Sequence, residues 1–287
     1  MSSLENKIDF AVIFSVKNAN PNGDPLNGNR PRTDYDGYGE VSDVCLKRKI
    51  RDRLQEAGHS IFVQSDEKKI DGMANLKERA VSAGFGLGEE AFKIDKKMPG
   101  KKDATAKLAC EKWFDVRAFG QLFAFGKGDD DASGVSIPVR GPVTIQPAFS
   151  VEPVSITSSQ IVKSVNAEEA KGKSDISSDR MGMKHRVDKA IYVAYGAMSP
   201  QLSGRTLFSN NDAEVFKSIL PKLFEGDASS ARPEGSMAVV KVFWWKHNSK
   251  AGQYSSAKVH KTLSVHSDGS YVLNNLDGLE PEIIDGF

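Results

Sequence analysis

Cysteine is scarce in this 287-residue sequence: only Cys45 and Cys110 are present. Two are too few for a disulfide framework, and neither stands in a Cys-x-x-Cys or Cys/His cluster with zinc-site spacing. A reducing, cytoplasmic setting is expected. Long apolar runs are missing as well. No window approaches the roughly 18 consecutive apolar residues of a membrane span, and the opening MSSLENKIDF has no charged region leading into one. Neither secretion nor membrane association is expected. A charge excess is also lacking, since 39 Lys plus Arg face 38 Asp plus Glu for a net charge of +1. That balance excludes a globally basic nucleic-acid binder. GFGLGEE has neither a preceding strand nor a Lys-Ser/Thr, so it is not a Walker loop. His247, His260 and His266 have no partnering motif, and Asp129, Asp130 and Asp131 read as a solvated turn. No metal site, cofactor or catalytic constellation is expected, and no internal repeat is found.

What is there is an ordinary globular composition, 39% hydrophobic and 27% charged, enough for one large domain or two small ones. The charge is segregated. Cations dominate KRKIRDR (Lys47 to Arg53) and RMGMKHRVDK (Arg180 to Lys189), while LDGLEPEIIDGF carries only carboxylates. IDFAVIFSV, β-branched and aromatic, predicts a buried strand. An Asn/Gly/Pro-rich stretch follows, NANPNGDPLNGNRPRTDYDG, which is neither helix nor continued strand. SDVCLKRKIRDRLQEAG then opens on an N-cap serine, spaces Leu46, Ile50 and Leu54 along one stripe and stops at Gly58, so it predicts a helix. SIFVQ reads as a second strand, and residues 66–107 as a polar insertion outside the main core. CEKWFDVRAFGQLFAFG reads as a second core helix, and VSIPVRGPVTIQPAFSVEPVSI as strand text that its prolines restrict to edges and bends. Residues 161–179 read as a loop or projecting tip. AIYVAYGAMS predicts a strand, DAEVFKSILPKLFEG a helix and MAVVKVFWW a strand. The order fits an α+β, split βαβ sheet of the ferredoxin-like or RRM-like kind.

Four motifs in order, NPNGDPLNGNRPRTDYDGYGEVSDVCLKRKIRD, FDVRAFGQLFA, GPVTIQPAFSVEPV and RMGMKHRVDKAIYVAYGAMSP, closely resemble the backbone subunit of CRISPR Cascade complexes, in the RAMP superfamily and particularly its type I-C branch. The resemblance implies a single RRM-like palm over 1–287, with a helical fingers insertion near 66–107 and a protruding thumb hairpin near 153–187. It also implies a non-catalytic subunit that polymerises head to tail along CRISPR RNA. Such a subunit works beside other Cascade subunits and presents guide bases to target DNA.

Under that resemblance, the Asn/Gly/Pro loop becomes a backbone cradle, with Asn18, Asn20 and Asn22 as neutral contacts and Arg30 and Arg32 as charged ones. Read from the residues alone, the same asparagines serve turns. The helix offers Lys47, Arg48, Lys49 and Arg51 to phosphate, or else a merely solvated face. Arg117 and Gln121 are expected on one face of the second helix, with the same two readings. Arg180, Met181, Met183, Lys184, His185 and Arg186 would form the thumb, the methionines wedging between bases while cations hold phosphates. The alternative there is packing of the methionines into the sheet. Two other functions stay open. A related type III branch cuts target RNA with a loop aspartate, and Asp24, Asp34 and Asp36 lie in such a loop. A stand-alone RRM protein is the third reading, although the aromatic RNP pattern is missing.

Overall fold

The computed structural model describes residues 2–93, 100–125, 135–162 and 181–287. Its centre is an eight-stranded antiparallel sheet. From one edge the order is Glu282–Asp285, Met237–Lys246, Ile8–Ala19, Met181–Met198, Ala148–Pro153 and Tyr38–Val41. Val143–Ile145 and Ile156–Val162 also pair with the long Met181–Met198 strand. Ile8–Ala19 is buried on both faces because every second residue meets a different layer. Phe10, Val12 and Phe14 pack under the helices Asp43–Glu56 and Asn210–Ile219, whereas Ala11 and Ile13 meet Val259, Leu263 and Leu279 from the C-terminal segment. Phe10 lies in register between Gly196 and Trp244. A Cβ at Gly196 would sit 2.2 Å from the Phe10 ring, so only glycine admits that ring across the strand.

A second, separate core forms between residues 62 and 139, where Phe62, Ala80, Phe92, Trp113, Phe123 and Ile137 pack together. This lobe overturns two expectations. SIFVQ forms no strand; instead the Phe62 and Val63 N–H groups donate to the Asp115 carboxylate at 2.7 and 3.0 Å, so a buried side chain takes the place of a ladder. Nor is CEKWFDVRAFGQLFAFG one helix. Lys101–Lys112 ends where Trp113 turns extended, Phe114–Phe119 is a second short helix, and Gly120, at φ 83°, starts the strand Gly120–Phe125 paired with Val135–Arg140. A buried Trp113 explains the break, because its ring fills the second core rather than continuing the helix face.

Three more differences have local causes. The Asn/Gly/Pro stretch contains a small hairpin, Gly23–Asp24 with Arg30–Pro31, and it leads into the edge strand Tyr38–Val41 before the helix starts. The acidic C-terminus is itself an edge strand: Glu282 pairs with Lys217 at 2.9 Å and Asp285 with Lys241, so these two carboxylates serve the chain's own cations. AIYVAYGAMS is the inner half of one strand that starts at Met181. The aspartate run 129–131 and residues 163–180 lie outside the described residues. No described helix is long and apolar enough to cross a membrane. Burial pushes the Cys110 thiol up to about 12 and raises Cys45 too, which leaves neither poised as a thiolate.

Under the C-terminal layer, Asp9 is wholly buried beside His247, 2.8 Å away through Nε2, with Lys7 at 3.1 Å and His260 at 3.6 Å. Gln253 N–H donates to His247 Nδ1 at 2.9 Å, so the ring nitrogen that carries the proton toward Asp9 is Nε2. Burial pushes the Asp9 carboxyl up, but hydrogen bonds from His247 and Ser256 and the Lys7 ammonium together hold it below its ordinary value. Burial also lowers His260. Both groups therefore add stability at higher pH. As pH falls below about 6.5, the unfolded chain takes up a proton that folded His260 refuses, and stability drops; Asp9 loses its share only in stronger acid. Urea unfolding midpoints are expected to fall between pH 7.5 and pH 5, and His260→Gln is expected to flatten that fall. An unchanged slope in the variant would show that His260 is not the group responsible.

Candidate nucleic-acid interface

The cations of the Asp43–Glu56 helix do not form the open face expected of them. Lys49 is 4% exposed and pairs with Asp227, which Arg232 also holds at 3.0 Å. Arg51 reaches Asp115 at 2.8 Å, the carboxylate that also binds the Phe62 and Val63 backbone. Arg48 spans Asp52 and the Val63 carbonyl, and Lys47 pairs with Asp43 at 2.9 Å. Arg117 lies on its short helix with both Nε and Nη2 on Asp212, at 3.1 and 2.8 Å, and its guanidinium stacks over Phe114. Gln121 is in the following strand and donates to the Leu122 carbonyl, so it shares no face with Arg117. The partners of Lys49, Arg51 and Arg117 are far away in sequence, which is why helix periodicity alone exposes side chains that the fold consumes.

The asparagines divide. Asn20 is buried and donates to the Asn29 carbonyl at 2.7 Å, and Asn22 accepts from the Ser42 N–H at 2.9 Å, tying the loop to the helix start. Both serve the turn. Asn18 is different: it is exposed, at φ 53°, near the end of the first strand. Arg32 leans on Asp24 at 3.5 Å.

Beyond Val187 the long strand keeps one partner among the described residues, Ile156–Val162, in the register Met181 to Val162, Met183 to Gln160 and His185 to Ser158. Paired residues share a face and neighbours alternate. Met181, Met183 and His185 therefore line one side with Val162, Gln160 and Ser158, while Lys184 and Arg186 take the other with Ile161. The interleaved sequence thus separates methionines from lysine and arginine instead of flanking each with the other. Met181 and Met183 are 55% and 56% exposed, so they do not pack into the sheet. His185 Nδ1 and Arg30 both meet the Ser158 hydroxyl, at 2.8 and 3.1 Å, which brings Arg30 of the small hairpin onto the methionine side. Arg186 is 3.6 Å from Asp188. Arg180 lies outside the described residues.

At the root of this ribbon the ladder places Lys17 directly opposite Lys189. Both are exposed, and neither meets a carboxylate among the described residues. Like charges directly opposite in an antiparallel pair repel, so this pair with adjacent Asn18 makes a spot that an anion would relieve. No sequence motif marked it, since Lys17 and Lys189 become neighbours only through strand register. Asp24 and Asp34 are occupied in turns: Asp24 accepts from Leu26 N–H, and Asp34 from Asp36 and Tyr38 N–H.

A family model described as CRISPR-associated protein Cas7 matches residues 6–279. The CRISPR-associated protein Cas7 of Haloferax volcanii is 31% identical over 159 residues, which is 52% of this chain and 44% of that protein. The chain thus spans less than half the length of this relative. Two solved chains are also similar. One, from a "CRISPR RNA-guided surveillance complex, pre-nicking", has a TM-score of 0.44 and 16% identity over 83% of this chain and 75% of that one. The other, from a "CRISPR RNA-guided surveillance complex", has a TM-score of 0.42 and 15% identity over 92% of this chain and 77% of that one.

The division of cations into consumed and free has a measurable consequence. Arg51→Ala leaves the buried Asp115 carboxylate without its cation, a loss of about 3 kcal/mol, and Lys49→Ala costs less, because Asp227 is partly exposed and keeps Arg232. Met183→Ser or Lys184→Ser is expected to stay within about 0.5 kcal/mol of the parent. Urea denaturation of the four variants checks both halves; equal losses in all four would refute the division.

Proposed function

Because the chain belongs to the CRISPR-associated Cas7 family, we propose that it is a non-catalytic backbone subunit of a CRISPR surveillance complex of the Cascade kind, in the type I-C branch. It binds the sugar-phosphate backbone of CRISPR RNA, assembles head to tail with its own copies beside other Cascade subunits in the cytoplasm, and leaves guide bases free to pair with target DNA. The observation that carries the RNA-binding assignment is the unrelieved Lys17–Lys189 pair at the root of a ribbon with exposed Met181 and Met183. An RNA strand passing there would meet paired ammonium groups, the Asn18 amide, Arg30 and His185, and then an apolar edge able to part stacked bases.

The strand order supports an RRM-like palm. Ile8–Ala19 and Met181–Met198 are central, flanked by Met237–Lys246 and Ala148–Pro153, with the Asp43–Glu56 and Asn210–Ile219 helices on one face. This is the fourth-first-third-second order of a split βαβ sheet. Residues near 66–107 would be the fingers, within the lobe of the second core, and residues near 153–187 the thumb. Lys184 and Arg186 would meet RNA or target on the thumb's other side. Lys49, Arg51 and Arg117 are left out of the contact set because their charges are used internally. Target-RNA cutting is not favoured, since Asp24 and Asp34 already serve as turn acceptors.

A subunit repeated along one strand meets different bases in each copy, so its contacts must ignore sequence. Lys17→Ala with Lys189→Ala is expected to weaken binding to unrelated guides equally. It should also reduce the slope of log affinity against log salt by about 1.4, at roughly 0.7 per phosphate for a single strand. Thermal stability should not fall, because the substitution removes a repulsion. Filter binding at a series of salt concentrations checks this. A loss confined to one guide sequence, or an unaltered salt slope, would overturn the assignment.

A further inference from the structure

A cleft of about 870 Å³ opens between the Lys101–Lys112 helix, the Val135–Arg140 strand and the Pro200–Thr206 helix, away from the proposed RNA path. Its walls include Ala106, Pro138, Leu202 and Leu207, and its rim carries Lys107, Arg140 and Arg205 against one acid, Asp103, among the described residues. All three cations are exposed, and none is paired with a carboxylate among the described residues. No aromatic residue lines the cleft, so it offers no platform for stacking the bases of a single strand. An aliphatic floor under a cationic rim instead fits a short acidic segment that carries one large apolar side chain.

The chain presents such a segment elsewhere. Asp34, Tyr35 and Asp36 form an exposed tip on which the Tyr35 ring is fully in solvent, at 110% of its reference exposure. The tip is held in shape, since Asp34 Oδ1 accepts from the Asp36 and Tyr38 N–H groups at 3.0 and 2.8 Å. A rigid aromatic flanked by acids gives up little side-chain freedom on docking. The two features lie toward opposite ends of the sheet. Tyr38 pairs with Pro153 beside the root of the ribbon, whereas the Pro200–Thr206 helix of the cleft starts just past Met198. About ten residues of the long strand separate these levels, roughly 30 Å.

We propose that the Asp34–Asp36 tip of one copy docks in the Lys107/Arg140/Arg205 cleft of a second copy. The contact is heterologous, so it leaves a free tip at one end and a free cleft at the other, and it extends without closing. This rests on the head-to-tail reading above and names the two surfaces that meet.

The test uses the full chain loaded on CRISPR RNA long enough for several copies. Tyr35→Cys and Leu207→Cys in one chain, treated with a short bismaleimide, are expected to give a ladder of covalent multimers, whereas each single variant and the parent, with Cys45 and Cys110 as background, give none. Asp36→Arg alone, or Arg205→Asp alone, is expected to weaken association of copies about tenfold, and the two together to restore much of it. No ladder from particles whose mass still rises with RNA length overturns this contact and leaves the head-to-tail reading standing. A constant mass at every RNA length removes both. Arg140→Asp that lowers RNA affinity without changing cross-linking would make the cleft a nucleic-acid site and would also overturn the proposal.

Discussion

The structure depends on one uninterrupted strand. Met181–Met198 is paired on both sides through its inner half and on one side through its outer half. Its inner residues are fixed by aromatic contacts: Phe14 stacks on Tyr192 at 5.3 Å, and Phe10 lies over Gly196. A ribbon continuous with such a core cannot rotate about its own root without breaking ladder hydrogen bonds. The exposed methionines at its outer end are therefore aimed by residues buried in the sheet. Gly39 contributes to the same fixation, because a Cβ there would sit 2.2 Å from the Tyr192 hydroxyl. The edge strand can approach the stacked tyrosine only with glycine at that point.

This explains why local sequence showed some parts and hid others. The Asp43–Glu56 helix was legible because its cap, Ser42 accepting from Cys45 N–H, and its apolar stripe are encoded within a few turns. The first strand and Met237–Lys246 were legible because β-branched and aromatic residues run together in each. Tyr38–Val41 was not, since four residues including Gly39 carry almost no strand signal and pair only because Ala148–Pro153 lies beside them. SIFVQ failed for the opposite reason. Its composition is that of a strand, yet Asp115 satisfies its backbone from a position more than fifty residues on in the chain.

The candidate site shows the same limit more sharply. A helix bearing Lys47, Arg48, Lys49 and Arg51 looks like a phosphate surface when only neighbours in sequence are considered. Its net charge is cancelled by Asp115 and Asp227, which no periodicity places nearby. A cation without a carboxylate partner is common among the described residues, so that alone marks no site. What sets Lys17 and Lys189 apart is that the ladder holds them directly opposite one another. Lys17 sits at the end of an apolar strand and Lys189 closes the cation-rich run RMGMKHRVDK, and nothing in the sequence sets the two side by side. The resemblance to a known family indicated the region of RMGMKHRVDK, but the strand register supplied the lysine pair and separated the methionine side from the Lys184 side.

Two charge clusters on the first strand make the contrast physical. Asp9 is taken wholly out of water, and the fold surrounds it with His247, His260 and Lys7, the arrangement expected where an uncompensated charge would be costly. Eight residues along the same strand, Lys17 faces Lys189 with no such compensation, although a single acidic substitution at either position would provide it. Consistency of local choices with the fold is the rule for folded sequences, and departures from it gather at sites of function. The Lys17–Lys189 repulsion costs little because water screens it. The cost disappears when strand phosphates lie beside the two ammonium groups. On the RNA-binding reading proposed above, a small instability of the free chain becomes affinity for a polyanion, at the point where the broad sheet narrows to the two-stranded ribbon and the exposed methionines begin.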